Sequence, residues 1–130
     1  MTITLLYGGL LALLFLLLSV RVVQGRGKGK VSLGDGGQPE LMRRIRGHAN
    51  FAEYVPLQLL LLGLLELNGG LPVWALHVLG GALLVSRGLH GYAMSYTELW
   101  AFGRFYGTVI SFSLLLIMGV LALVMGLRGL

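Results

Sequence analysis

Arg43, Arg46, Asn50 and Glu53 recur at spacings of three, four and three. On a helix that spacing puts two guanidiniums, an amide and a carboxylate on one face. Tyr54 adds a phenol beside them, and an apolar run begins at Leu57. A charge at membrane depth is costly, so such a face must line a wet cavity, a subunit interface or a ligand. Further along, Arg87, His90 and Tyr92 gather near the end of a third apolar segment, and Arg104, Thr108 and Ser111 align at the start of a fourth. Arg43, Arg46, Arg87 and Arg104 together predict a cationic pocket with few compensating acids. An anion with several carboxylates would supply the missing charge through bidentate guanidinium forks. Glu53 can accept from a ligand ammonium, Asn50 can donate and accept, and Tyr54 and Tyr92 offer hydroxyls. The inventory suits a small zwitterionic peptide.

Other chemistries fit poorly. Cysteine is absent, which removes disulfides, thiolate catalysis and cysteine-based metal sites. The three histidines fall in three segments without an H-x-x-x-H or H-E-x-x-H spacing, so no metal is expected. No Ser-His-acid set shares one depth. The formal charge of +5 does not indicate nucleic acid, because seven of the ten Lys and Arg residues lie between Arg21 and Arg46, around one connection. Arg87 and Arg104 flank another connection. Under the positive-inside rule, these connections are expected to be cytoplasmic and both termini external.

The chain that positions these residues is 56% apolar and 12% charged over 130 residues. It reads as one all-α domain, residues 1–130, an integral membrane four-helix bundle. Residues 2–24 predict the first span, kept as a mature helix because it has no basic n-region and no small-residue cleavage site. The connection from Gly25 to Pro39 is glycine-rich and basic. It reads as a flexible loop, or as one ordered over an anion by Arg26, Lys28 or Lys30. Residues 40–68 predict a second helix, about 43 Å long, with Pro56 kinking it above Glu53. Glu66 is read as an interfacial residue. Residues 72–94 predict a third helix, on which Trp74, Gly81 and Gly88 form a face for close packing. His77 is read as an internal hydrogen-bonding residue. A connection from Ser95 to Gly103 leads to a fourth helix over 104–127.

The sequence Arg46-x-x-x-Asn50-x-x-Glu53-Tyr54-x-Pro56 resembles the MAPEG family, membrane-associated proteins in eicosanoid and glutathione metabolism. Pro39-Glu40, Arg87 with Gly91-Tyr92, and Arg104 add weaker matches, so the likeness runs over nearly the whole chain. The resemblance implies a homotrimer binding glutathione between subunits on the cytoplasmic side, and a bacterial inner membrane is the expected location. It implies glutathione contacts at Arg46, Asn50, Glu53, Tyr54 and Tyr92, a basic contact at Arg26, and an Arg104 that stabilises the glutathione thiolate. The implied activity is glutathione transfer to hydrophobic electrophiles or lipids, with peroxide reduction as a companion. One branch of the family implies a non-enzymatic scaffold or lipid-binding protein instead. A family tyrosine falls on Gly88 here and a second family arginine near Gly27, so the resemblance carries no particular eicosanoid substrate.

Overall fold

The computed structural model describes residues 1–98 and 100–129. It contains α1 Thr2–Gly29, α2 Pro39–Asn68, α3 Val73–Tyr96 and α4 Ala101–Arg128. α1, α2 and α4 are each long and apolar enough to cross a membrane. α3 carries Arg87 and His90 and buries both. The chain is an all-α, membrane-spanning four-helix bundle and an integral, multi-pass protein.

The helices run alternately up and down, so α2 and α4 are parallel. Both the α1–α2 and α3–α4 connections lie at one end, called the base below, where Arg21 of α1 donates to the Ser95 carbonyl of α3 at 2.8 Å. α2 and α3 form the central diagonal: α3 packs on α1, α2 and α4, while α1 and α4 share no contact among the described residues. Leu11, Leu18, Leu62, Leu83 and Met118 fill the middle and are at most 1% exposed. Leu5, Leu13 and Leu116 face outward, as apolar side chains do when the surroundings are lipid.

Local capping moves three helix ends away from the expected positions. α1 continues five residues past position 24, to Gly29, because Lys30 adopts the left-handed conformation (φ 54°) and its amide closes onto the carbonyls of Arg26 and Gly27. Gly25 also has a packing role: a Cβ there would meet Leu41 Cδ1 at 3.0 Å, so the glycine lets α2 approach. At the other connection, Ser95 and Tyr96 remain helical and α4 starts at Ala101 rather than 104. The Thr97 hydroxyl accepts from the Trp100 amide at 3.0 Å and shortens the turn; Leu99 within it lies outside the described residues. α2 runs unbroken across Pro56, which is exposed.

The expected glycine face of α3 is rotated. Trp74 is exposed and Gly88 has open space around it, and Gly81 is in ordinary contact with the Tyr7 hydroxyl, which a Cβ there would meet at 3.5 Å, whereas Gly80 lies hard against the Tyr7 ring and Gly91 against Leu18. The rotation follows from burying Arg87, since Gly80 and Gly91 sit seven before and four after it, on its side of the helix. His77 is exposed on α3, with Nδ1 3.2 Å from the Tyr7 hydroxyl.

Glu66, near the far end of α2, caps a different helix. Its carboxylate accepts from the amides of Ile3 and Thr4 at 3.0 and 2.8 Å, and from the Thr4 hydroxyl at 2.6 Å. A carboxylate on the free amides at a helix N-terminus is a charge-assisted cap. Replacing Glu66 with Ala is expected to cost about 1–2 kcal/mol, read as a lower thermal unfolding midpoint in detergent; an unchanged midpoint would contradict the capping role.

Candidate functional site

The α2 side chains divide between the interior and the outside. Arg46 and Glu53 are exposed, whereas Asn50 and Tyr54 are half-buried at the edge facing α4. Tyr54 packs on Phe112 of α4 with ring centroids 5.3 Å apart. One turn further, Gln58 is fully buried and donates to the carbonyl of Ser111 at 2.7 Å and to its hydroxyl at 3.1 Å. Ser111 therefore turns inward, separating from Arg104, which is exposed. Thr108 donates its hydroxyl back to the Arg104 carbonyl at 2.9 Å.

Arg87 lies inside the chain. It is 1% exposed, and Nη1 donates to Asn50 Oδ1 at 2.9 Å while Nη2 donates to the Gly107 carbonyl at 3.0 Å. It pairs with neither Glu53 nor the surface. A guanidinium in this position is satisfied by amide dipoles rather than by an acid, and it ties α2, α3 and α4 together. Gly107 makes that possible, because a Cβ there would meet the Ser86 carbonyl at 2.8 Å and the His90 amide at 2.9 Å. The bond also commits Asn50 Oδ1 and leaves the Nδ2 donors, which make no hydrogen bond among the described residues. Since Asn50 and Gly107 are thereby level on parallel helices, Arg46 and Arg104 each sit about one turn nearer the base.

The remaining expected site residues are scattered. Arg26 donates to the Gly34 carbonyl at 2.8 Å and holds its own loop. Arg43 is half-buried on the side of α2 facing Ser95 and Glu98. Tyr92 is 55% exposed, stacked on Tyr96 and edge-on to Trp100, in an aromatic cluster at the base of α3 and α4. Sequence reasoning did not single out Gln58, Ser86 or Gly107, nor His48, which stacks on Phe15 and lies 3.1 Å from the Ser19 hydroxyl. Beside that stack, Phe15, Phe51, Val55 and Leu59 line an apolar groove of about 280 Å³ between α1 and α2. Among the described residues, no group of three His, Asp or Glu side chains is placed to hold a metal ion.

The model of the MAPEG family matches residues 4–124, from the first turn of α1 into the last turns of α4. The chain belongs to the MAPEG family. This MAPEG chain is also 41% identical over 87 residues to a protein named "Inner membrane protein YecN" from Escherichia coli, found in two strains. The match takes in 67% of this chain and 66% of the relative, so the chain spans just under two thirds of the length of the curated relatives it matches. No solved structure matches it.

The Arg87–Asn50 contact in this MAPEG chain can be measured directly. Arg87→Met and Asn50→Ala should each destabilise the bundle, and the double variant should be less unstable than their sum by about 1–2 kcal/mol. Unfolding in detergent gives the coupling; simple additivity would show that the two side chains do not interact.

Proposed function

We propose that this MAPEG chain is a glutathione transferase of the bacterial inner membrane, acting as a homotrimer with its base on the cytoplasmic side. The observation that supports the reading is the Arg46, Asn50, Glu53 and Tyr54 row of α2, whose charged members are exposed, as is Arg104 on the parallel helix α4. Charges presented on the outside of a membrane bundle need cover from something other than lipid. A neighbouring copy and a zwitterionic tripeptide between the two would provide it. Arg46 would hold a glutathione carboxylate as a fork, Glu53 the ammonium, and Asn50 Nδ2 and the Tyr54 hydroxyl the peptide groups. Arg26, Arg87 and Tyr92 belong to the same expectation in different ways. Tyr92 is exposed enough to reach a ligand, Arg87 acts through Asn50, and Arg26 reaches a ligand only by releasing Gly34.

In the reaction, Arg104 stabilises the glutathione thiolate, and the thiol proton is lost to water. Each pKa unit by which the thiol is lowered corresponds to about 1.4 kcal/mol of preference for the reactive form. The thiolate sulfur then bonds to the electrophilic carbon of an apolar substrate arriving from the lipid, and the leaving group departs with the bonding pair. No protein nucleophile is needed, consistent with a chain that has no cysteine. The apolar groove along Phe15, Phe51 and Leu59 is suited to such a hydrophobic partner. With a lipid hydroperoxide, the same thiolate would be oxidised to a sulfenic acid as the alcohol forms. A second glutathione would then yield the disulfide and water.

The test is conjugation of a chloronitroarene by the purified protein, run beside equilibrium glutathione binding. Arg104→Ala is expected to lower kcat about 100-fold with little change in glutathione Kd. Arg46→Ala is expected to raise Kd about 10-fold. Undiminished turnover in Arg104→Ala would reject the thiolate role. Glutathione binding without turnover in the native chain, across several electrophile classes, would favour a non-enzymatic membrane scaffold.

A further inference from the structure

Four buried side-chain polar atoms find no hydrogen-bond partner among the described residues: Arg21 Nε, Arg43 Nε, Arg44 Nε and Ser95 Oγ. All four belong to the base, where the end of α1, the start of α2 and the end of α3 meet. Two cavities open there. The larger, about 280 Å³, is lined by Gly25, Lys28, Gln38, Glu40, Leu41 and Arg44, with Gly29. The smaller, about 150 Å³, shares Glu40 and includes Arg43, Ser95 and Glu98. Neither cavity contains Arg46, Asn50, Glu53 or Arg104.

Arg44 is 6% exposed and lines the larger cavity. Its Nη1 donates to the Arg21 carbonyl at 2.9 Å, and its Nη2 pairs with Glu40. Gly25 leaves room for it, since a Cβ there would meet Arg44 Nη1 at 3.4 Å. α2 opens without a side-chain cap. The first amide of α2 to find a partner is that of Met42, which donates to the Gln38 carbonyl at 2.9 Å. The amides of Glu40 and Leu41, whose residues line the cavity, are thus left as donors at the positive end of a 30-residue helix. Lys28 is exposed and makes no ion pair among the described residues.

Two cations, Lys28 and Arg44, against one acid, Glu40, leave the larger cavity with a net charge of +1. The residues that carry an ammonium, a guanidinium and the free helix-terminal amides all line it. Such a set matches a tetrahedral group that accepts on every side and carries a single negative charge, as a phosphodiester does. A divalent cation would meet net repulsion. Arg26, the other basic group of this region, is held by the Gly34 carbonyl and is not part of the lining.

We infer that the larger cavity at the base is a phosphate site, in which Lys28, Arg44 and the first amides of α2 hold either the headgroup of an anionic phospholipid or a free phosphate ion. Glu40 is the competing charge: paired with Arg44, it weakens the site for any anion. The inference is independent of glutathione, because the residues of the two sites do not overlap.

The test uses the full chain in dodecyl maltoside micelles, which contain no phosphate. The thermal unfolding midpoint is followed as inorganic phosphate is added in one arm, phosphatidylglycerol in a second and a neutral monoacylglycerol in a third. A saturable rise in the first or second arm, absent from the third, is expected. Lys28→Ala, at an exposed position that leaves the fold intact, should weaken the apparent affinity roughly fivefold. Glu40→Gln should strengthen it by about the same factor, an opposite change that a merely structural role would not produce. A response to phosphatidylglycerol alone assigns the site to lipid, and a response to inorganic phosphate assigns it to the free ion. No response in either arm, or the same affinity in native chain and both variants, overturns the inference.

Discussion

A guanidinium buried in a membrane bundle without an acid beside it must be surrounded by oxygen acceptors, and meeting that demand for Arg87 orders the rest of this chain. Asn50 Oδ1 and the Gly107 carbonyl supply the acceptors from two other helices. The price is close backbone approach. Gly107 cannot carry a Cβ without striking the Ser86 carbonyl, and on α2 a Cβ at Gly47 would lie 2.7 Å from Met94 Cβ. With α3 turned so that Arg87 points inward, Gly80, Leu83 and Gly91 follow onto the packed side. The parallel helices α2 and α4 are then locked in register.

That register decides what is left outside. Gln58 and Ser111 satisfy each other in the interior, one to two turns beyond the Arg87 level. Arg46, Glu53 and Arg104 stay on the surface, nearer the base. Ordinary membrane helices hide their charges inside and present hydrocarbon to lipid. Here Arg87 is hidden at mid-bundle while Arg46, Glu53 and Arg104 are presented, which is the physical basis for proposing a second copy and a zwitterionic ligand over them. The base carries a different surplus, with Lys28 and Arg44 facing one acid across an intrachain cavity.

The sequence made the four helices readable because each apolar run is long and bounded by glycine, proline or charge. α2 begins within one residue of the expected start and ends at the expected position. The end of α1 and the start of α4 were not readable, since they depend on Lys30 taking a left-handed conformation and on a Thr97 hydroxyl reaching the Trp100 amide. Long-range partners were less accessible still. Glu66 caps a helix more than sixty residues away, and Arg87 reaches partners 37 and 20 positions distant. The rotation of α3 did leave a trace, however. Had Arg87 been required to point inward, Gly80 and Gly91 would have been chosen over Gly81 and Gly88. The types of residue in the α2 row were legible, but their division between interior and surface was not, because it depends on where α4 lies.

The central claim is that Arg104 and the α2 row hold glutathione with its sulfur ionised. Thiolate absorbs in the ultraviolet where the thiol does not, so mixing glutathione with the purified protein in detergent at neutral pH tests the claim without any second substrate. The account predicts a thiolate band that saturates with glutathione and is lost in Arg104→Ala. Glutathione bound with no thiolate band, or a band unchanged by the substitution, would contradict it.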